Sequence, residues 1–281
     1  ITVETPLPFH LPDDQIRPLR QLVDDVFQKK LEQKLRANKT WARLIAKKKM
    51  AVGVVDLSNP AAAKFARMNG DVMMYAASLP KLAILLGASQ ALADSVLPAS
   101  PDILHDMRIM ISKSDNSAAT RMIERLGFER IADTLMDERY ELYDPEYGGG
   151  LWVGKRYAKQ GRRYPDPVMG ISHGASVTQV CRFYYLLAMG KLVNPAECER
   201  MLDMLEDPEI HHKFVNALDR IVPDAKVYRK SGTWRQWHAD SVMVWGPEWR
   251  RYILVGLIDD PKGEQILRNL LPVVDELMYV R

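Results

Sequence analysis

The sequence predicts an α+β fold: one five-stranded antiparallel sheet flanked by the N-terminal and C-terminal helices, with an all-helical part inserted between its strands. The segments follow the order helix, two strands, a block of helices, three strands and helix. The two groups of strands stand at opposite ends of the chain, so they form one sheet only by meeting in space. We therefore assign residues 13–77 and 223–281 to an α/β subdomain. Residues 78–222 form an all-helical subdomain that includes a long loop over 141–174, and residues 1–12 form an extended arm.

The N-terminal part predicts two helices and two strands. Apolar residues repeat every three or four positions from Ile16 to Leu35, which predicts a helix starting near Asp13 or Asp14. A break at 38–40 precedes a shorter helical face. A buried strand and its partner strand follow, and each of them ends at turn residues. The two strands are predicted over 51–57 and 64–68.

The middle of the chain is predicted to be helical, with one irregular interruption. Residues 82–88 are apolar on nearly every side, which is typical of a helix buried all round. Proline and glycine residues separate the helices that follow. A loop as long as 141–174 is usually functional or mobile in a compact chain. Further helices are predicted around 103–111 and over 117–126, 128–136, 176–189, from 195 and over 208–221.

After Pro223 the pattern changes back to strands. Three apolar runs are separated by turn residues, and a last amphipathic helix follows them. The strands are predicted over 226–229, 239–245 and 252–258, and the helix over 264–279.

Composition excludes several classes of function. The chain has 281 residues, 47% of them hydrophobic and 27% charged, as in ordinary soluble globular proteins. A net charge of +3 gives no case for nucleic acid as the main partner. No apolar run approaches the roughly 20 residues of a membrane span. Cys181 and Cys198 are expected to be two buried thiols, although one disulfide stays open at this point.

The stretch Ser78-Leu79-Pro80-Lys81 carries the first candidate chemistry. Pro80 fits only within the first turn of a helix, so Ser78 should lie at a helix N-terminus, where developing negative charge is favoured. Lys81 is three residues on and shares the same face. A buried amine tends to lose its proton and can then activate the serine hydroxyl. The alternative is an ordinary N-cap serine with a surface lysine.

Two further motifs support the catalytic interpretation. Ser114-Asp115-Asn116 falls between two predicted helices, and Lys230-Ser231-Gly232 follows a predicted strand. With Ser78-x-x-Lys81 they form a known trio of catalytic motifs, except that the third usually reads Lys-Thr-Gly. The chain thus resembles the superfamily of serine β-lactamases and penicillin-binding proteins, and it is most similar to the class A β-lactamases. The resemblance extends over nearly the whole chain from about residue 15.

The resemblance implies a role for each residue of the motifs. Ser78 would be the nucleophile, Lys81 its base, and Ser114 the shuttle that carries a proton to the leaving nitrogen. The backbone N–H groups of Ser78 and Thr233 would form the oxyanion hole. Asp115 is expected to be structural. Substrate binding would fall to Asn116, Lys230, Ser231 and Thr233.

The sequence departs from class A where that family carries Glu-Pro-Glu-Leu-Asn. The nearest match here is Asp144-Pro145-Glu146-Tyr147-Gly148. Asp144 stands where the general base for deacylation is expected, one methylene shorter, and Glu146 is the other candidate. If either works, the protein hydrolyses β-lactams. If neither works, the acyl-enzyme accumulates, since a misplacement of about 1 Å can cost ~10²-fold in rate.

The resemblance also sets expectations for partners. The leading hypothesis is a serine hydrolase that opens a small-molecule β-lactam. The alternatives are a D-Ala-D-Ala carboxypeptidase acting on peptidoglycan stem peptides and a catalytically weak protein that binds cell-wall peptide. We expect a monomer, in the periplasm or secreted, with no cofactor.

The sequence offers more than one interpretation for some other stretches. The pair His211-His212 has no further ligands at suitable spacing, so no metal site is predicted. The basic run from Lys155 to Arg163 fits either a solvated loop or a grip on an anionic partner. Trp234 and Trp237 could narrow the substrate cleft, stack on a substrate or cap the core.

Overall fold

The protein was analysed as a computed structural model, which describes residues 7–279. Its α-helices are α1 (Asp25–Ala37), α2 (Lys39–Ala46), α3 (Lys81–Ala93), α4 (Pro101–Ser112), α5 (Asn116–Leu126), α6 (Phe128–Met136), α7 (Val177–Ala188), α8 (Pro195–Leu205), α9 (Phe214–Ile221) and α10 (Gly263–Tyr279). Its strands are β1 (Met50–Asp56), β2 (Lys64–Met68), β3 (Met74–Tyr75), β4 (Tyr143–Asp144), β5 (Gly149–Gly150), β6 (Trp152–Val153), β7 (His173–Ala175), β8 (Lys226–Trp234), β9 (Trp237–Trp245) and β10 (Arg251–Asp259).

The central sheet joins strands from both ends of the chain. Its order is β2-β1-β10-β9-β8, and every neighbouring pair is antiparallel. The contact between the two groups is the pairing of β1 with β10, from Met50 opposite Ile258 to Asp56 opposite Tyr252. The predicted α+β fold with a five-stranded antiparallel sheet is confirmed. Strand β8, which carries the third motif, lies at an edge of the sheet.

The core lies on both faces of this sheet. Side chains alternate along β1, so that Val52 and Val54 pack with α1, α2, α9 and α10, whereas Ala51 and Val55 pack with the other helices. Every residue of β1 is buried because both faces are covered. Helix α3 is buried from Lys81 to Ser89, as its uninterrupted apolar sequence predicts. This helix therefore holds Lys81 inside the molecule, whereas Ser78, three residues before it, is half-buried.

Helix α1 begins twelve residues later than Asp13, its first predicted start. Residues 13–15 and 19–22 form short 3-10 turns instead. Asp24 is the true N-cap, and its carboxylate accepts a hydrogen bond from the Phe27 N–H at 2.8 Å. Val26, which the periodicity placed on the apolar face, is exposed. The predicted arm over residues 1–12 lies partly outside the described residues, since 1–6 are not described.

Helix α9 is also shorter than predicted, because residues 208–213 do not join it. The guanidinium of Arg229 binds the carbonyl oxygens of Ile210 and His212, which holds this segment in an irregular, non-helical course. Lys213 then takes a positive φ of 54° before the helix starts. The backbone carbonyls of the segment thus serve a buried side chain instead of helical hydrogen bonds.

The two cysteines do not form a disulfide. Cys181 and Cys198 are both free and buried, as expected. Cys198 donates from its thiol to the Leu192 carbonyl oxygen at 3.0 Å. Burial raises the pKa of this thiol to about 12, so it stays protonated and inert at neutral pH.

Candidate active site

Ser78 lies at the junction between β3 and α3. The Lys81 N–H donates to the Ser78 carbonyl oxygen at 3.2 Å, and the Leu82 and Ala83 N–H groups continue the same tight turn. Pro80 occupies the N-cap position of α3. Ala77, directly before the serine, has a positive φ of 51°, which is an uncommon backbone conformation for a residue with a Cβ atom. The helix start predicted for this stretch is confirmed, with Lys81 one turn after Ser78.

Lys81 is fully buried and held by the second motif. Its Nζ donates to the Ser114 carbonyl oxygen at 2.6 Å and to Asn116 Oδ1 at 2.8 Å. Burial lowers the pKa of this amine to about 7, and the nearby carboxylate of Asp115 opposes the shift. As a free amine, Lys81 has two N–H bonds for these two acceptors and keeps a lone pair to take a proton.

The loop between α4 and α5 presents the second motif. Ser114 has a positive φ of 57°, and this turn directs both its carbonyl and its hydroxyl to Lys81, with Oγ 3.4 Å from Nζ. Asp115 caps α5 by accepting from the Ala118 N–H at 2.6 Å. This contact fits the structural role expected for Asp115. The positive φ of Ser114 is a strained conformation, and such strain persists where the surrounding structure fixes it, often at functional sites.

Lys230 links the third motif to the second. Its Nζ donates to Ser114 Oγ at 2.9 Å and to the Ser231 carbonyl oxygen at 2.8 Å. The side chain is buried, and burial together with the nearby Lys81 lowers its pKa well below the ordinary value. The Ser114 hydroxyl therefore lies between two amines that both lose protons easily.

Strand β8 passes very close to the turn that carries Ser78. A Cβ atom at Gly232 would lie 2.2 Å from the Ala76 carbonyl oxygen and 2.7 Å from the backbone nitrogen of Ser78. Only glycine permits this approach. As an edge strand, β8 leaves alternate N–H groups without a sheet partner. Its backbone near Thr233 and that of Ser78 are thus close neighbours.

The segment before α9 adds two residues that the sequence analysis did not assign. His212 Nε2 lies 3.4 Å from Ser231 Oγ, and burial is the main cause that lowers the pKa of this imidazole to about 4. The buried Nζ of Lys213 donates to the Gly232 carbonyl oxygen at 2.7 Å and to Thr233 Oγ1 at 2.8 Å. The sequence gives no local signal for these roles. It predicts a helix over 208–221, and a helix would direct the side chains of His212 and Lys213 differently from the irregular segment observed.

Asp144 and Glu146 lie outside this network. The Asp144 carboxylate accepts from the Glu146 N–H at 2.9 Å and so caps a short 3-10 turn. Glu146 is exposed. The carboxylate that acts on the Lys81 pKa is that of Asp115, and the charge of Asp144 acts instead on Arg182. Neither candidate base shares a hydrogen bond with Lys81, Ser114 or Lys230, and their role in deacylation stays a prediction.

Tyr157 occupies the space beside Lys81. Its ring centroid is 4.5 Å from the Lys81 Nζ, and its hydroxyl donates to the Ala77 carbonyl oxygen at 3.0 Å. The His173 ring lies against the tyrosine at 4.4 Å between centroids. Burial lowers the pKa of this histidine to about 4, so it is neutral at pH 7. The signal that could have pointed here was the length of the irregular loop, since long loops are often functional.

A cavity of about 870 Å³ opens next to these groups. Asn116, Tyr157 and His173 line it, and so do the aromatic rings of Tyr75 and Trp237. Trp237 lies edge-on to Tyr75 at 6.2 Å between ring centroids. Trp237 is thus part of the cleft, and it also packs against the hydrophobic core.

His211 pairs with Asp219 at 2.7 Å instead of pointing to His212. Across residues 7–279, no three histidine, cysteine or acidic side chains converge in a way that could hold a metal ion.

None of the described helices combines the length and apolar character needed to cross a membrane.

Comparisons with known proteins agree with the fold. A family model described as a beta-lactamase enzyme family matches residues 98–272. This segment contains the second and third motifs but begins after Ser78 and Lys81. A search of curated protein sequences gave no significant match.

Solved structures share the architecture at low identity. A beta-lactamase from Sphaerobacter thermophilus superposes with a TM-score of 0.68 at 16% identity, covering 85% of this chain and 97% of that one. PBP-A gives a TM-score of 0.66 at 17% identity, covering 91% and 96%. A mutant of PBP-A, solved as an acyl-enzyme complex with penicillin G, gives 0.64 at 19%, covering 96% and 99%. At such identities the likeness establishes the fold.

Proposed function

Because the chain belongs to the beta-lactamase enzyme family, we propose that it is a serine acyl-transfer enzyme that opens the β-lactam amide by acylation of Ser78. The observation that carries the proposal is the continuous network from Lys81 through Ser114 to Lys230. This network lies one helical turn from the serine at the start of α3. It supplies a base, a proton shuttle and a second amine in a buried setting.

In the proposed acylation step, the network carries one proton from Ser78 to the leaving nitrogen of the lactam. The free amine of Lys81 takes the proton of Ser78 Oγ as this oxygen bonds to the lactam carbonyl carbon. The C–N bond then breaks, and the Ser114 hydroxyl gives its proton to the leaving nitrogen. Ser114 regains a proton from the Lys81 ammonium, 3.4 Å away. In sum, one proton passes from Ser78 to the nitrogen.

The remaining residues of the motifs bind the substrate in this proposal. A substrate carboxylate beside Lys230 and Ser231 favours the protonated form of the buried lysine, which then neutralises it. The N–H groups of Ser78 and Thr233 stabilise the oxyanion, and Gly232 allows them to stand close together. Asn116 Oδ1 orients Lys81.

We propose further that deacylation is slow. Hydrolysis of the ester needs a general base that positions a water molecule near Lys81. The side chain found against Lys81 is Tyr157, which burial keeps protonated by raising its pKa well above the ordinary value. Such a phenol is a poor base at neutral pH. The protein then behaves as a penicillin-binding protein, and its own substrate would be a peptidoglycan stem peptide. We accordingly expect it in the periplasm or secreted.

Intact-mass spectrometry during incubation with benzylpenicillin tests both parts. We expect a long-lived adduct of one penicillin, located on Ser78 by peptide mapping, with little turnover of a chromogenic cephalosporin. Ser78→Ala should lose the adduct. The control is Ser95→Gly, at an exposed serine whose positive φ of 59° glycine also adopts, and this variant should keep the adduct.

Other results would change the proposal in defined ways. Rapid turnover that Ser78→Ala abolishes would support acylation and contradict slow deacylation. Release of D-alanine from a stem peptide that ends in D-Ala-D-Ala would add the carboxypeptidase activity. An unmodified protein without turnover, or an adduct that persists in Ser78→Ala, would refute the role of Ser78.

A further inference from the structure

We propose that the cavity beside Lys81 selects acyl donors whose side chain carries a negative charge in addition to the carboxylate bound at Lys230. This inference rests on the proposed acylation of Ser78 and names the class of substrate that the site prefers. The side chain it fits carries an apolar or aromatic group together with a carboxylate or a similar anion.

The charge of the cavity is of one sign. Four cationic side chains line it, and no aspartate or glutamate does. Arg156 forms an ion pair with Glu124 at 2.6 Å. The other three make no ion pair within the described part of the chain: the nearest acceptors of Lys155 and Arg163 are the carbonyl oxygens of Lys159 and Gly170, at 3.2 and 3.5 Å. Lys155, Lys159 and Arg163 therefore leave three positive charges uncompensated.

The loop that carries these cations is a built structure. The Gly154 N–H donates to the Ser172 carbonyl oxygen at 2.6 Å, and the Tyr164 N–H donates to that of Gly154 at 2.7 Å. The indole of Trp152 donates to the Tyr164 carbonyl oxygen and stacks on the tyrosine ring at 5.7 Å. An isolated antiparallel β-bridge between the backbones of Lys155 and Arg163 closes the loop. Because the backbone that carries these cations is fixed, engaging them costs less entropy than ordering a mobile surface loop.

The position of the cavity fits the side chain of an acyl donor. Asn116 and Tyr157 line the cavity and also contact Lys81, so its inner end reaches the catalytic network. The site proposed for the substrate carboxylate, at Lys230 and Ser231, does not line it. A bound substrate would thus place its carboxylate on β8, its carbonyl at Ser78 and its side chain in the cavity, where Trp237 and Tyr75 contact the apolar part.

A matched pair of penicillins tests the inference. Benzylpenicillin and α-carboxybenzylpenicillin differ by one carboxylate on the acyl side chain. We expect the second-order rate of acylation, followed by intact mass, to be about 10-fold higher for the carboxylated compound at low ionic strength, because a cationic cleft attracts the additional charge. The ratio should fall toward about 1 in 0.5 M salt as screening increases.

Variants assign the effect to the loop. Lys159→Glu combined with Arg163→Glu should remove or reverse the preference, and the milder Lys159→Gln with Arg163→Gln should give an intermediate ratio. Lys29→Glu changes the net charge at an exposed position of α1, which packs on the opposite face of the sheet, and should leave the ratio unchanged. Thermal unfolding confirms that each variant is folded.

The outcomes separate the inference from its premise. Acylation of Ser78 by both penicillins at equal rates, or faster by benzylpenicillin, would overturn the selection of anionic side chains and leave the proposed function in place. A preference that survives the double charge reversal would overturn the role of the loop. Absence of an adduct with both compounds would overturn the proposed function and this inference with it.

Discussion

Tyr157 and Lys81 are in direct contact, with the ring centroid of the tyrosine 4.5 Å from the lysine Nζ. The two residues are 76 positions apart, in the long loop and at the start of α3. The ring shields the amine from water and also offers a cation–π contact to its protonated form. Because the Lys81 pKa is lowered mainly by burial, shielding dominates in this contact. The tyrosine thus helps to set the protonation of the proposed base.

Replacing Tyr157 should therefore alter both the pH dependence and the rate of acylation. In Tyr157→Ala water reaches Lys81, so we expect the apparent pKa of acylation to rise above 7 and the rate at pH 7 to fall about 10-fold. Tyr157→Phe keeps the ring and loses only the hydrogen bond to the Ala77 carbonyl oxygen, so it should change the rate less. Acylation kinetics with a chromogenic cephalosporin measure both. Equal pH profiles for the two variants would contradict the shielding role.

The pH dependence of acylation in the native protein follows from the Lys81 pKa of about 7. Only the unprotonated amine can take the Ser78 proton, so the rate should rise with pH, reach half its maximum near pH 7 and level off above about pH 8. Lys81→Arg stays protonated at every accessible pH and should abolish acylation. The second-order rate of adduct formation from pH 5.5 to 9 is the measurement. A rate independent of pH, or one that falls over this range, would contradict the role of Lys81.

Asp144 and Glu146 provide a test of position against sequence similarity. Because neither contacts the network, Asp144→Asn and Glu146→Gln should change the acylation and deacylation rates less than about 2-fold, as expected for surface substitutions. Asp144→Ala removes the cap on the Glu146 N–H and should cost about 1 kcal/mol of stability. Chemical denaturation and the lifetime of the penicillin adduct measure these effects. A large loss of deacylation in Asp144→Asn would restore the role that the sequence suggested.

Gly232 should be essential for the approach of β8 to Ser78. In Gly232→Ala the new methyl group would meet the Ala76 carbonyl oxygen at 2.2 Å, so the strand must move away from the serine. Since about 1 Å of misplacement can cost ~10²-fold, we expect a loss of acylation rate of that size. Gly246→Ala is the matched control, because its nearest neighbour would lie at 3.6 Å. Wild-type acylation by Gly232→Ala would argue against an oxyanion hole between the two backbones.

The buried pair of Arg229 and Asp240 should stabilise the strands and the helix start that lie next to the site. The two side chains are joined at 2.7 Å and are 2% and 0% exposed, and Asp240 also accepts from the Phe214 N–H at the start of α9. Asp240→Asn leaves Arg229 as an uncompensated buried charge, and we expect a loss of about 3–5 kcal/mol in the free energy of unfolding. Urea denaturation measures it. The exposed pair of Lys34 and Glu276 is the control, since Glu276→Gln should cost less than about 1 kcal/mol.

The sequence alone determined the fold and the three motifs. The strands β1 and β2 and the helices α4 to α6 show patterns whose period matches the element, and Pro80 and Gly127 mark boundaries that the structure confirms. Ser78, Lys81, Ser114 and Lys230 stand out because each motif combines reactive side chains at short, regular spacing. These signals are local, so they can be read without the tertiary structure.

Only the tertiary structure decided what surrounds the nucleophile. The sequence predicts a helix over 208–213, yet this segment is irregular because the buried Arg229 binds its carbonyl oxygens. Asp144 matches the position of a catalytic base in sequence but caps its own turn, and Tyr157 takes the place beside Lys81. Such contacts join residues that are far apart along the chain and lie in irregular loops. No periodicity specifies them, because their geometry depends on how the loop packs against the finished core.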